Sequence, residues 1–187
     1  MLFAKLFQRT SPTEDAALRL YRTLVEKARD PVFYSALAVP DTVNGRFDMV
    51  VIHAMLVLRR LRDGGIEGEA SGKALLELLF TDMDQSLREM GIGDMGIKHH
   101  IKRMAKALFG RAEAYENGLD GDPAALLAAL KENLYRHSKP TEDQFARMSD
   151  YLQRAAQHVR VQNVAEMIAG QMDFAVPVLG DGASHAG

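Results

Sequence analysis

The sequence predicts an all-α protein, a single-domain helical bundle of about six to eight helices. Three observations carry that reading. Apolar residues recur at spacings of three and four in one stretch after another, which is the period of a helix face. Helix-start signals, Ser11-Pro12-Thr13-Glu14, Asp122-Pro123 and Thr141 with Gln144, stand just ahead of such stretches. No segment has the strict alternation of a half-buried strand, and neither an internal repeat nor a long linker divides the chain. Residues 1–10 are expected to be flexible or peripheral, 11–169 to form the helical domain, and 170–187, rich in Gly and Ala, to be a loose tail.

Taken in order, the first helix opens at a capping box and buries Ala17, Leu20, Tyr21, Leu24 and Ala28. It ends at Asp30-Pro31, because the residue before proline is pushed out of the α region. A short helical piece carries Phe33, Tyr34 and Leu37, and a turn-rich stretch follows from Val39 to Gly45. Asn44-Gly45 is a hairpin signal, but Phe47 to Arg62 is too long and too apolar for a short strand. It reads as a central helix buried on most sides and stopped by Gly64-Gly65. Gly64 to Gly72 is expected to be a loop with Glu67 and Glu69 in solvent. The next helix turns Leu75, Leu76, Leu79, Phe80, Met83, Leu87 and Met90 inward. After a loop holding Gly91, Gly93 and Gly96 comes the stripe Ile97, Ile101, Met104, Leu108, Ala112 and Tyr115. Leu126, Leu127, Leu130 and Leu134 follow Asp122-Pro123. Lys139-Pro140 breaks the chain, and Phe145, Met148, Leu152, Ala155 and Val159 mark a last helix reaching toward Ile168.

Composition narrows the function classes. A chain of 187 residues buries roughly 70% of its unfolded surface and needs no staples. It has no cysteine, which excludes disulfides and Cys-based zinc sites. A net charge of −2 and a pI near 6.3 argue against a dedicated nucleic-acid binder, and no DNA partner is expected. The most apolar run, Met49 to Leu58, falls short of the roughly 18–20 residues of a membrane span. Met1 to Arg9 lacks the apolar core of a signal peptide. Its Leu2, Phe3, Leu6 and Phe7 could touch a membrane, but burying them is worth at most about 6–12 kcal/mol. Ordering the segment costs roughly 7–14 kcal/mol, so it is a weak anchor at best. The expected location is the cytoplasm.

No catalytic constellation assembles. His53 is the one polar side chain in an apolar run and reads as a core histidine with a satisfied hydrogen bond rather than a ligand. His99 and His100 are adjacent and so point to different faces. No Glu-x-x-His occurs, which removes the usual di-iron bundle signature. Asp82 and Asp84 resemble a magnesium pair, yet i and i+2 diverge on a helix, and Asp84 is better placed to pair with Arg88 at i+4. The glycine loop lacks the ending of a phosphate cradle. Gly91 suits a left-handed position past a helix end, and Asp94 could cap the next helix. The chain is read as a non-enzyme with no metal and no cofactor. Lys98, Lys102, Arg103, Lys106 and Arg111 form a basic strip with no acid between them, a solvated face or a contact for acidic partners, RNA or lipid head groups. Met83, Met90 and Met104 fall on inward stripes. Met95 lies off the stripe and is the better candidate for an exposed contact.

One stretch is more specific than any of these motifs. FTDMDQSLREMGIGDMG, Phe80 to Gly96, continues to Lys102-Arg103-Met104, Phe109-Gly110-Arg111 and Tyr115. With Pro31-Val32-Phe33-Tyr34, Val39-Pro40-Asp41-Thr42, Gly45-Arg46-Phe47-Asp48 and Leu58-Arg59-Arg60-Leu61-Arg62, it resembles the ubiquinol–cytochrome c chaperone family over residues 20–119. The resemblance implies a non-enzymatic assembly factor for respiratory complex III that shelters newly made cytochrome b. Mitochondrial members act with a small helper protein and associate with the ribosome. With no transit peptide expected, the resemblance implies a bacterial member, acting in the cytoplasm and peripherally at the cytoplasmic face of the inner membrane. The implied partner surface is the pair of helices around the glycine loop: Asp82, Met83, Asp84, Arg88, Glu89, Gly91, Gly93, Asp94, Met95, Lys98, Lys102, Arg103, Lys106, Arg111 and Tyr115. Two other classes compete: a ribosome- or RNA-binding module using residues 98–111, and a haem carrier using His53 or His99.

Overall fold

Side-chain oxygens and prolines set where the helices begin. The computed structural model describes residues 11–89 and 91–178, and its fold class is all-α, as the sequence predicts. Among the described residues there are eight α-helices: α1 (Pro12–Ala28), α2 (Pro31–Ser35), α3 (Val43–Leu61), α4 (Gly65–Glu89), α5 (Asp94–Asp120), α6 (Pro123–Ala129), α7 (Glu142–Val161) and α8 (Val164–Ile168). The expected membrane contact of Leu2, Phe3, Leu6 and Phe7 and the inward placement of Met90 lie outside the described residues.

Both capping boxes form. Ser11 N–H donates to Glu14 Oε2 at 2.7 Å and Glu14 N–H returns to Ser11 Oγ at 3.2 Å. Thr141 and Gln144 exchange the same two bonds at 3.0 and 3.2 Å. Each pair satisfies amides that a helix start leaves without partners. Asp30 and Asp122 cap α2 and α6, which like α1 begin with proline. Two side-chain-capped starts were not foreseen. Thr42 Oγ1 accepts from Gly45 N–H, so α3 begins at Val43 inside the stretch read as turn. Asn163 Oδ1 accepts from Ala165 N–H, so the last helix is two, α7 and α8.

The stretch expected to be a loop, Gly64 to Gly72, is helical from Gly65 onward. The chain turns from α3 into α4 through a single 3-10 turn, Arg62–Gly64. A Cβ at Gly68 would lie 1.9 Å from the Leu61 carbonyl oxygen, so only glycine allows so close an approach. Gly68, Ser71 and Gly72 are buried, and the small residues that look like linker form a contact face of the helix.

The described chain divides into two compact units. The first takes residues 11–23, 57–107 and 162–172; the second takes 24–56, 108–161 and 173–178. In the first, Ala17, Leu20, Leu61, Leu75, Leu79, Met83, Leu87, Ile97 and Met167 are buried. Arg60 donates twice to the Gln162 carbonyl, at 3.1 and 2.8 Å, and Arg19 donates to the Ala169 carbonyl at 2.7 Å. These bonds tie the stretch around α8 to α3 and α1. In the second unit, Leu24, Phe33, Leu37, Ile52, Leu108, Tyr115, Leu130, Tyr151 and Leu152 are buried, each worth about 1.5–3 kcal/mol relative to exposure. Tyr135 Oη–H reaches the Leu37 carbonyl at 2.6 Å.

Residues 173–178, expected to belong to a loose tail, pack instead. Phe174 is buried with its ring 4.9 Å from the His53 ring, His158 pairs with Asp173 at 2.6 Å, and Arg154 donates to the Val176 carbonyl. One aromatic anchor and two polar ties hold a segment whose composition suggested otherwise. No described helix is long and apolar enough to cross a membrane.

Candidate functional site

The segment that carries the family resemblance is the turn from α4 into α5. Gly91 has φ of 80°, with its N–H on the Arg88 carbonyl at 2.9 Å and the Ile92 N–H on the Leu87 carbonyl at 3.1 Å. These are the two bonds of a Schellman motif, which needs a left-handed residue where glycine stands. Arg88 spans the turn: Nε meets Asp84 at 2.6 Å and Nη1 meets Asp94 at 2.6 Å. The hydrogen bond to Asp84, then that to Asp94, raises the arginine's pKa further, so it stays charged throughout. Asp94 is therefore the first residue of α5 with its carboxylate turned back to Arg88, not a free cap. The Asp84–Arg88 pair expected from the i,i+4 spacing is present.

Around this turn the surface is polar and open. Asp82, Glu89, Gly91, Gly93 and Asp94 are exposed, and Met95 is 90% exposed, as its place off the apolar stripe implies. Lys98, Lys102 and Lys106 recur at i+4 along α5, exposed and without an ion-pair partner among the described residues. Arg103 sits beside them, donating to His100 Nδ1.

Three residues read as partner contacts are not on this surface. Met83 is only 7% exposed, on the inward stripe of α4. Tyr115 is wholly buried, and its hydroxyl has no hydrogen-bond partner among the described residues. Arg111 is half-buried in the second unit, paired with the buried Asp48 carboxylate and lying 5.5 Å over the Phe47 ring. Helical periodicity placed Arg111 on the basic strip, but its actual partner is 63 residues away in sequence. Gly45-Arg46-Phe47-Asp48 and Phe109-Gly110-Arg111 are thus two halves of one structural contact.

His53 is a core residue. It is fully buried, with Nδ1 at 2.7 Å from the Met49 carbonyl and Nε2 at 2.7 Å from Tyr151 Oη. A carbonyl only accepts, so Nδ1 carries the hydrogen and Nε2 accepts from the tyrosine. Burial pushes the imidazole pKa down to about 4. The Phe33 and Phe174 rings pack edge-on against it. Both nitrogens are engaged, which leaves no coordination position for haem iron. Tyr151 was not singled out from sequence; the signal available was a hydroxyl-bearing residue inside the apolar stripe of α7.

Comparison with known proteins now has a structural frame. A family model described as ubiquinol–cytochrome C chaperone matches residues 35–174. The ubiquinol–cytochrome c reductase complex assembly factor 1 of Mus musculus is 24% identical over 153 residues, 82% of this chain and 52% of that protein. Its Xenopus laevis counterpart is 25% identical over 142 residues, 76% of this chain and 71% of that protein. The chain thus spans about half the length of the mouse relative. A crystal structure of the Cbp3 homolog from Brucella abortus has the same fold, with a TM-score of 0.80 and 30% identity over 94% of this chain and 97% of that one.

Proposed function

This chain belongs to the ubiquinol–cytochrome c chaperone family, and from that premise we propose that it is a non-enzymatic assembly factor for ubiquinol–cytochrome c reductase that holds newly made cytochrome b before it joins the complex. The observation that carries the reading is the family match over residues 35–174, which runs through both helices of the α4–α5 turn. The reading places the client surface on the exposed part of that turn and α5: Asp82, Asp84, Arg88, Glu89, Asp94, Met95, Lys98, Lys102, Arg103 and Lys106. Met95 offers a flexible apolar contact that accommodates varied partners. The three lysines, without an ion-pair partner among the described residues, present positive charge that orients a partner and speeds its approach. A small helper protein and the ribosome belong to the same proposal as further partners, and the place of action is the membrane surface where cytochrome b is inserted.

The test is a pull-down of tagged full chain from its native membrane extract, with and without ongoing translation, probed for cytochrome b. The informative variant is Asp84→Lys with Arg88→Glu, which keeps an i,i+4 pair of opposite charges, gives up the bond from Arg88 to Asp94 and reverses the surface. Recovery of cytochrome b by the parent and its loss in the folded variant is the expected result. Recovery undiminished in the variant would remove the turn from the client surface. Absence of cytochrome b under both conditions would refute the proposed client.

A further inference from the structure

A second site lies between the end of α6 and the start of α7, within the second unit. Residues Leu130–Leu134 form a π-turn, closed by the Tyr135 N–H on the Leu130 carbonyl at 3.0 Å. Such turns fit an extra residue into a helix and are frequent at binding sites. Beyond it opens a cleft of about 1010 Å³. Tyr135 and Phe145 line it as a tilted aromatic pair with ring centres 5.7 Å apart, flanked by Ala128 and Pro140. The Ser138 hydroxyl borders the cleft, buried and without a hydrogen-bond partner among the described residues. Lys131 and Lys139 line it too, exposed and without a carboxylate partner among the described residues.

The chemistry narrows the occupant. The cleft is open and slightly above the 300–1,000 Å³ typical of pockets that enclose a small molecule, so it suits a ligand that needs only one face covered. Its charges are mixed: Lys131, Arg136 and Lys139 against Glu132 and Glu142. RNA or an anionic membrane would be met by a uniformly basic face, which this is not. The half-buried Phe145 ring, with Ala128 and Pro140 beside it, calls for an apolar side chain. The excess of one cation selects a neighbouring carboxylate. We propose that this cleft docks a short segment of another polypeptide, an aromatic or aliphatic side chain flanked by acidic residues. The inference rests on the chemistry of the cleft alone and not on the identity of the client proposed above.

The experiment is fluorescence anisotropy on the full chain with a labelled peptide, Gly-Glu-Phe-Leu-Glu-Gly, and with the same peptide carrying Lys in place of both Glu. The comparison variant is Lys131→Glu with Lys139→Glu, both exposed, with retention of the fold checked by circular dichroism. The expected result is saturable binding of the acidic peptide, about tenfold tighter than the basic one, with that preference lost or inverted in the variant. Absence of saturable binding, or equal affinity of parent and double variant for the acidic peptide, would overturn the proposal. So would binding of phosphatidylglycerol vesicles or RNA that the double variant loses while neither peptide binds.

Discussion

The buried His53–Tyr151 pair makes stability depend on pH in a defined window. In the folded chain the imidazole pKa is about 4, against 6.5 in the unfolded chain. The folded value is the lower one, so the site is neutral in both states above pH 6.5 and its full contribution is present there. As pH falls below that value the unfolded chain takes up a proton that the folded chain refuses. Stability then drops by up to about 1.4 kcal/mol per pH unit, until the folded site also titrates near pH 4; the whole loss is roughly 3 kcal/mol. Desolvation is the leading cause, and among the charges that reach the ring Lys27 opposes the proton while Asp30 favours it. The perturbation to make is His53→Leu with Tyr151→Phe. It removes both polar partners together and leaves no orphan, whereas Tyr151→Phe alone leaves Nε2 buried without a donor at a cost of about 1–3 kcal/mol. Urea unfolding followed by circular dichroism, at about pH 7.5 and about pH 5, reads the free energies. The parent is expected to lose roughly 2 kcal/mol more than the double variant between those conditions. The other titrating groups are common to both proteins and cancel. Parallel losses in the two proteins would refute the buried neutral histidine.

Three further outcomes follow from single positions. Gly68→Ala forces a Cβ against the Leu61 carbonyl and should destabilise by about 3 kcal/mol or more, read as a lowered urea midpoint; a change within error would mean that the α3–α4 turn opens freely. Gly91→Ala places a side chain at φ of 80° and should cost about 1–2 kcal/mol, with Gly91→Asn recovering part of it, in thermal melts. Tyr115→Phe deletes a buried hydroxyl without a described partner and should be neutral or stabilising by about 1 kcal/mol in the same melts; a loss of that size would show that the hydroxyl is satisfied in solution.

Much of this chain was legible because the rules involved are local. Ser11 and Glu14, Thr141 and Gln144, and Asp84 and Arg88 are three or four residues apart, within one helical turn, so composition and spacing were enough to foresee the bonds they make. The inward stripes of α4 and α7 were legible for the same reason. Misreadings arose where two residue types share one composition. Gly64 to Gly72 has the small residues of a loop, and those same residues permit the close approach that starts α4 beside Leu61. The tail from Gly170 looked structureless, yet in residues 173–178 the Phe174 ring and the ties of Asp173 and Val176 dock the chain.

In the candidate site, the polar turn and the exposure of Met95 were evident from the chain, while the assignment of Met83, Arg111 and Tyr115 to the same surface was not. By itself the sequence determined the all-α class, most helix starts, the Asp84–Arg88 pair and the family. Tertiary structure alone decided that Arg111 belongs to Asp48, His53 to Tyr151, and Phe174 to the His53 ring. The reason is chain separation: 63 residues divide the first pair and 98 the second, and no local spacing encodes such a distance. Only packing brings these groups together, and burial then requires each to find a partner.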